Sequence, residues 1–347
     1  MHALSSTLVS TTITPKPRKG RFQRLSVIQF IELTGLVAFA QACLAFAQAL
    51  QGKRFLPAPR RGRPRVYSDL CIFLTSIIQR VWQKSNEGII QHLYDHPMVA
   101  VALLYPVDLN TGKVSIIHPA HYGRRKRQLG LFVYFVAFVA LVRRLIRMGI
   151  IIGHEWILDC SGLRAWYHHD PDARWNGFLK IFGYKIHLIM DGSSMLPIML
   201  LITPANVHES VVGVILLLAV WFFYNLTVSI VRADAAYFDR KTIWIIRFLF
   251  GAKAYVDYNL RRRGKKFLAT LPFIWWWKEQ PPKRGAIERL FAILKRWYGL
   301  KYFQVRGLAN VTRYALLTCM AMLLTAQAAQ AINRPELMRS PKRLLAL

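Results

Sequence analysis

Apolar residues recur along this chain with two different periods, and the change falls near Glu155. Before that residue, three stretches carry apolar residues at the spacing of helices: 25–50, 68–104 and 129–149. After it, three short runs read as strands: 155–162, 183–192 and 195–203. The segment Asp191-Gly192-Ser193 separates the last two runs, so we expect those strands to form an antiparallel hairpin.

The remaining elements alternate between helices and strands. A helix is predicted from about Glu209, a fourth strand over 227–234, a helix over 239–250 and a strand over 252–257. A last helix is predicted over 283–298 and ends at Gly299. The order βββαβαβα is that of an RNase H-like core, an α/β fold with a mixed sheet. A smaller all-α domain is expected before it.

Composition shifts divide the chain into regions. Residues 1–26 contain few core-forming residues and are expected to be a disordered basic arm. Residues 27–150 are expected to form a helical DNA-binding or dimerisation region, interrupted by a basic linker at 53–65 that is rich in proline and glycine. Residues 107–128 read as a loop. The predicted RNase H-like domain covers 151–335, and 336–347 is a basic tail.

Charge narrows the possible partners. The chain holds 48 Lys and Arg against 17 Asp and Glu, a formal net charge of +31. Such an excess favours a polyanionic partner, either nucleic acid or an anionic membrane. The cysteines are few and form no CxxC pair, which argues against a zinc site and a disulfide framework.

Two uncharged apolar runs, 33–50 and 211–231, are long enough to raise the possibility of membrane spans. The first carries Gln41 and Gln48, as in a helix with one partly polar face. The second is interrupted at Tyr224-Asn225 and continues in β-favouring residues, which indicates a helix, a turn and a buried strand. We therefore expect no membrane association and a cytoplasmic, nucleoid-associated protein, with a basic polytopic membrane protein as an alternative.

Three carboxylates stand out because acids are scarce in this chain. Asp159 falls inside the first predicted strand, Asp234 follows the fourth strand, and Glu288 lies on the last helix. Ligands of open α/β sheets bind at the carboxyl ends of strands. If the first and fourth strands are neighbours, the two aspartates lie side by side. Carboxylate oxygens suit Mg²⁺ or Mn²⁺, and two such ions can support phosphodiester chemistry.

Cationic, histidine and aromatic residues supply candidate contacts around this site. The residues predicted to contact DNA are Arg284, Lys295, Arg261, Arg262, Arg263, Lys265, Lys266, Arg60, Arg61, Arg63 and Arg65. His187, His208 and Trp276 are candidates for supporting the site or stacking on a base. Each has a structural alternative: a histidine in a strand is more often a packed residue, His208 could start the following helix, and Trp276 could pack in a core or a dimer.

Five strings between residues 158 and 300 occur in a familiar order: LDCSGLRA, GYKIHLIMD, TPANVHES, ADAAYFD and RGAIERLFAILKR. In this order they resemble the catalytic domain of insertion-sequence DDE transposases, in the group with a short interval between the second Asp and the Glu. The resemblance implies that Asp159, Asp234 and Glu288 are the metal-binding triad. Arg284, Glu288 and Lys295 match the family's Tyr-x2-Arg-x3-Glu-x6-Lys signature, in which Pro281 takes the place of the tyrosine.

The resemblance implies a transposase that binds the terminal inverted repeats of its element, cleaves DNA strands and transfers them to target DNA. Two ions of Mg²⁺ or Mn²⁺ would be the cofactors. A homodimer or larger assembly on DNA would be needed to handle two ends together. A catalytically inactive relic that only binds DNA is the alternative within the same family.

Overall fold

A computed structural model describes residues 34–50, 66–108, 110–256 and 285–346 of the protein. The chain divides into two compact units, one formed by residues 1–140 with 320–347 and the other by residues 141–319. The predicted division at 150/151 and 335/336 differs from this one. The reason is that two continuous helices, Leu131–Arg147 and Leu308–Ala331, contribute residues to both units.

The first unit is helical in the part that the structure describes, as predicted. Its helices are α1 (Thr34–Leu50), α2 (Asp69–Trp82), α3 (Asn86–Asp95), α4 (Pro97–Ala102), α5 (Pro119–Gln128) and the beginning of α6 (Leu131–Arg147). Serine caps start two of them: the Ser68 hydroxyl accepts from the backbone N–H of Cys71, and the Ser85 hydroxyl from that of Gly88. The last part of the helix Leu308–Ala331 and a short helix at Pro341–Leu345 also belong to this unit.

The expectation of a loop throughout 107–128 is wrong, because Pro119–Gln128 is a helix. The ring nitrogen of His118 accepts from the Ala120 N–H, and Pro119 occupies the first helical position, where its missing N–H costs nothing. Within this helix, Arg125 forms an ion pair with Asp69 at 2.5 Å, and Lys126 donates to Gln79 at 2.7 Å. The basic run at the end of the helix is therefore partly structural.

The second unit contains a mixed sheet. Its strands are β1 (Glu155–Arg164), β2 (Arg174–Asn176), β3 (Ile181–Asp191), β4 (Pro197–Pro204), β5 (Ile230–Ala233) and β6 (Lys253–Val256). β3 pairs with β1 and β4 in antiparallel fashion, while β5 pairs in parallel with β1 and β6. The order β4-β3-β1-β5-β6, with the short β2 beside β3, confirms the predicted RNase H-like arrangement.

Helical crossovers connect the later strands. α7 (Glu209–Tyr224) leads to β5, and a helix at Arg240–Trp244, which continues as a π-helical turn at Ile245–Leu249, leads to β6. Asn225 ends α7 in the left-handed conformation, with φ of 49°. The apolar run 211–231 is thus a helix, a turn and a strand, as its sequence predicted. The helix at Arg240–Trp244 is named α8, and the next helix in the described part of the chain is α9 (Gly285–Trp297).

One further helix, α10 (Leu308–Ala331), has no counterpart among the predicted elements. Among the described residues it is the single helix long and apolar enough to cross a membrane, and 67% of its most apolar window is buried inside the protein. The bent pair α5 and α6 passes the same test only if it is counted as one span, with an angle of 84° between the two helices. Burial of this kind is also typical of a core helix.

Candidate active site

The parallel pairing of β1 with β5 brings two of the predicted acids to one edge of the sheet. The last pair in the register is Leu158 with Ala233, and Asp159 and Asp234 each follow directly after it. Neighbouring strands lie about 4.8 Å apart, so the backbones of the two aspartates are close. Because paired residues of parallel strands point to the same face, both carboxylates lie on the face opposite Leu158 and Ala233.

Each aspartate side chain is oriented by a hydrogen bond from the backbone N–H of the residue that follows it. Oδ1 of Asp159 accepts a hydrogen bond from the Cys160 N–H at 2.7 Å, and Oδ1 of Asp234 accepts one from the Ala235 N–H at 2.6 Å. Both residues are half-buried. Each carboxylate is therefore held in a defined rotamer just beyond the point where the pairing of β1 with β5 ends, at the carboxyl end of β5, where ligands of α/β sheets bind.

A buried ion pair lies on the same face of the sheet, nearer the beginning of β1 and β5 than the two aspartates. Glu155 on β1 accepts from Arg232 on β5 at 2.5 Å. The Arg232 guanidinium also lies 4.8 Å from the ring centre of Tyr255 on β6. These contacts connect three adjacent strands on the side of the sheet that carries Asp159 and Asp234.

The last predicted acid lies on α9, which docks on the same face of β1. The ammonium of Lys295 donates to the Ser161 hydroxyl at 2.7 Å and to the Gly162 carbonyl at 3.0 Å. Ser161 shares its face of β1 with Asp159. Glu288 lies in the first turn of α9 and is exposed. Burial lowers the pKa of Lys295. This residue joins α9 to the strand that carries Asp159, and its predicted contact with DNA phosphate stays a prediction.

The donor set fits a divalent cation at the two aspartates. Asp159 and Asp234 offer carboxylate oxygens, the ligands that Mg²⁺ and Mn²⁺ prefer. Within the described residues, however, no group of three or more His, Cys, Asp or Glu side chains is close enough together to hold a metal ion. Glu288 is therefore not gathered with the aspartates into one cluster. Three carboxylates at close range repel one another unless a cation lies between them.

A buried polar network supports Asp234 from the other face of the sheet. Tyr237 lies in the short 3-10 turn that begins after Asp234, and its hydroxyl is 3.2 Å from Nδ1 of His187 on β3. Nε2 of His187 lies 2.9 Å from the Thr203 hydroxyl on β4. Gly213 of α7 packs against this turn: a Cβ there would lie 2.7 Å from the Tyr237 ring. The network fixes the backbone that presents Asp234.

An ion pair that the sequence analysis did not identify lies beside this network. Lys185 on β3 contacts Glu209, the first residue of α7, at 2.5 Å, and Glu209 also accepts from the Cys160 thiol at 3.7 Å. Burial alone would raise the pKa of Glu209, but the hydrogen bond from Lys185 leaves that pKa below its usual value. Burial raises the pKa of Cys160 to about 12. The thiol is therefore protonated at neutral pH.

His187 makes stability depend on pH. Burial lowers the pKa of His187 to about 4, so the folded protein keeps this ring neutral while the unfolded chain protonates it near pH 6.5. Between those values the unfolded state binds more protons, and stability falls as the pH falls. The loss is up to about 3 kcal/mol. His92, whose pKa burial lowers to about 3, contributes in the same direction.

We expect His187→Gln to be less stable than the unchanged protein at pH 7 and the difference to shrink as the pH falls to about 4.5. Denaturant unfolding at a series of pH values measures this. His121→Gln, at an exposed position, is the control and should keep the full pH dependence. A difference that stays constant across the series would rule out a neutral buried His187.

Two other predicted residues have structural roles. His208 caps α7, since its Nδ1 accepts from the Ser210 N–H at 3.3 Å. Asp191, which was predicted as a turn residue, is buried, and its carboxylate accepts from the Gly153 N–H and from the backbone and hydroxyl of Ser194. His187 is fully buried, so it is not available to stack on a base, and its predicted role in supporting the site stays a prediction.

The remaining predicted contacts lie outside the described residues. They are Arg60, Arg61, Arg63, Arg65, Arg261, Arg262, Arg263, Lys265, Lys266, Trp276 and Arg284. The same holds for Pro281, for the arm at 1–26 and for the linker at 53–65.

The strand order defines an RNase H-like domain, and two acids follow the last pair of β1 with β5. Residues 157–324 match the family model of the transposase DDE domain. The chain therefore carries a DDE transposase domain, and the resemblance to DDE transposases is confirmed. The matched segment includes Asp159, Asp234 and Glu288.

Among solved structures, the chain is similar to a piggyBac transposase, determined by cryo-EM as a synaptic complex with hairpin DNA. The match has a TM-score of 0.44 and 9% sequence identity, and it covers 90% of this chain and 80% of that one. No curated protein matches the chain.

Proposed function

We propose that the protein is an active transposase that binds the ends of its own element, hydrolyses a phosphodiester bond there and joins the resulting 3′ hydroxyl to target DNA. The observation that carries the proposal is the register of β1 and β5. It brings Asp159 and Asp234 to the same edge and the same face of the sheet, inside the segment that matches the transposase DDE domain.

In this proposal, Asp159 and Asp234 hold the divalent cations, and Glu288 on α9 completes the ligand set. Mg²⁺ or Mn²⁺ bound there would activate the attacking oxygen and stabilise the leaving oxygen of the phosphodiester. The docking of α9 on β1 through Lys295 and Ser161 supports the assignment of Glu288, because it places this helix on the face that carries Asp159.

The attacking group is expected to be water for cleavage and the DNA 3′ hydroxyl for strand transfer. Among the described residues near Asp159, the Cys160 thiol and the Ser161 hydroxyl are side chains that could in principle act as nucleophiles. The thiol is kept protonated by its raised pKa and contacts Glu209, and the Ser161 hydroxyl accepts a hydrogen bond from the Lys295 ammonium, so the proposal includes no covalent protein–DNA intermediate.

The net charge of +31 supports DNA as the partner. Phosphate contacts release counterions, so binding to element ends should weaken steeply as salt rises. Two ends must be held together during transposition, and we therefore propose a homodimer or larger assembly on DNA. A cytoplasmic, nucleoid-associated location follows from the same partner.

The proposal is tested with the purified protein and a labelled duplex that carries the inverted repeats flanking its gene. We expect strand cleavage at the repeat end that requires Mg²⁺ or Mn²⁺ and is absent with Ca²⁺ or EDTA. DNA binding without cleavage under every metal condition would favour the inactive DNA-binding relic. Binding that is insensitive to salt would contradict both readings.

A further inference from the structure

The segment 165–180, which connects β1 to β3 and contains β2, exposes several large aromatic side chains. We call this segment the aromatic hairpin. The exposed fractions are 49% for Trp166, 43% for Tyr167, 61% for Trp175 and 75% for Phe178. Single exposed apolar residues are ordinary on a protein surface, but a group of aromatic residues within one short segment marks a contact surface.

The aromatic hairpin is held rigidly by hydrogen bonds to the rest of its own unit. The Asn176 amide donates to the Ala205 carbonyl at 2.6 Å. Asp170, which is buried, accepts from the Tyr184 hydroxyl at 2.5 Å. These contacts fix the backbone on both sides of the exposed rings, so a ligand would meet a surface that needs little ordering on binding.

Among the exposed charged residues of the aromatic hairpin and its edges, cations outnumber the one acid, Asp172. Arg164, Arg174 and Lys180, at its edges and within it, are exposed. Its two acids are engaged by the start of α10: Asp170 accepts from the Gly307 N–H at 3.1 Å, and Asp172 accepts from the Leu308 N–H at 2.7 Å. Aromatic faces among cations are the features that bind unpaired nucleotides, by stacking on bases and by attraction to phosphates.

The position of the aromatic hairpin relates it to the candidate active site. β5 pairs with β1 only as far as Leu158, and the rest of β1 runs from Asp159 to Arg164 directly into the hairpin. At about 3.3 Å per residue, the seven-residue path from Asp159 to Trp166 spans at most about 23 Å. This is the length of about seven nucleotides of a stacked DNA strand.

We propose that the aromatic hairpin binds unpaired DNA nucleotides within about seven nucleotides of the cleavage site, with Trp166, Tyr167 and Trp175 stacking on bases and Arg164 and Lys180 contacting phosphates. The choice of DNA as the nucleic acid rests on the proposed function. Duplex DNA offers stacking surfaces only at its ends or where its bases are unpaired, so the aromatic contacts favour single strands and frayed or distorted ends.

The test measures the affinity of the full-length protein for a fluorescent single-stranded oligonucleotide and for the matching blunt duplex by anisotropy. Trp175→Ala is expected to weaken single-strand binding about 5- to 100-fold, the range for the loss of one base-stacking contact, and to change duplex binding far less. Trp175→Phe should restore most of the affinity. Trp244→Ala is the matched control, because Trp244 on α8 is similarly exposed at 57% and lies outside the hairpin.

The outcomes separate the alternatives. Unchanged single-strand binding by both Trp175→Ala and Trp166→Ala would overturn the proposal, and the second variant covers a folding defect in the first. Equal losses on single-stranded and duplex DNA would also overturn it, because they would indicate a general charge effect. A change in oligomeric state without a change in DNA affinity would identify the aromatic hairpin as a protein–protein surface instead.

Failure of this proposal is distinguishable from failure of the proposed function. If the unchanged protein cleaves repeat-end DNA and the hairpin variants bind single strands normally, the aromatic hairpin alone is misassigned. If the unchanged protein does not cleave, and Trp175→Ala still loses single-strand affinity, the hairpin is a DNA contact in a protein that lacks the proposed activity.

Discussion

Asp159→Asn and Asp234→Asn are each expected to reduce strand cleavage by about 1,000-fold or more. Bound metal ions stabilise the transition state of phosphodiester cleavage by several kcal/mol, and each 1.36 kcal/mol corresponds to a tenfold change in rate. The asparagine oxygen can still accept from the Cys160 or Ala235 N–H, so the local backbone should be unchanged. Cleavage of a labelled repeat-end duplex measures the effect.

DNA binding by these two variants should be equal to that of the unchanged protein or slightly tighter, since each removes a negative charge from a basic surface. Asp95→Asn is the matched control, because Asp95 is an exposed acid of the helical unit. It should cleave normally. Full cleavage by either active-site variant would exclude that aspartate from the catalytic set.

Glu288→Gln is expected to abolish cleavage to a similar extent while leaving end binding and folding intact. Glu288 is exposed in the first turn of α9, so the substitution should change the free energy of unfolding by no more than about 0.5 kcal/mol. The measurements are cleavage and binding of the same duplex together with thermal unfolding.

Glu87→Gln provides the matched control for that experiment. Glu87 is also an exposed glutamate in the first turn of a helix, α3 of the helical unit. Its substitution should alter neither cleavage nor binding. Undiminished cleavage by Glu288→Gln would remove Glu288 from the triad and would leave the two aspartates as the acids of the site.

The sheet could be predicted from the sequence because its signals are local. Part of β3 alternates in polarity, β4 is a short apolar run, and the turn at Asp191 is formed by that residue's own carboxylate, which accepts from Ser194. The neighbouring positions of Asp159 and Asp234 followed from the element order, which the register of β1 and β5 bears out. Even the apolar run 211–231 signalled its own interruption, at Asn225.

Other features depend on contacts between distant parts of the chain. Lys185 and Glu209 form an ion pair only because β3 and the start of α7 meet in the fold. α10 was missed because its weak amphipathic pattern gives little periodic signal in a helix that is mostly buried. The helix at α5 was hidden by a polar composition typical of a loop, although His118 and Pro119 supplied a starting signal.

The exposure of the aromatic hairpin could not be predicted from the sequence. Its tryptophans and histidines are visible in the sequence, but residue types alone do not distinguish core aromatics from exposed ones. The fold shows that Asp170 is buried and that Trp166 and Trp175 are left at the surface. Burial thus decided a question that the pattern of residues left open.

A crystal of the protein with repeat-end DNA and Mn²⁺ would show whether Asp159, Asp234 and Glu288 share divalent cations. We expect anomalous scattering peaks between the Asp159 and Asp234 carboxylates, with Glu288 as a ligand, and two ions about 4 Å apart. Peaks bound by other side chains, with these three carboxylates out of reach of any ion, would contradict this expectation.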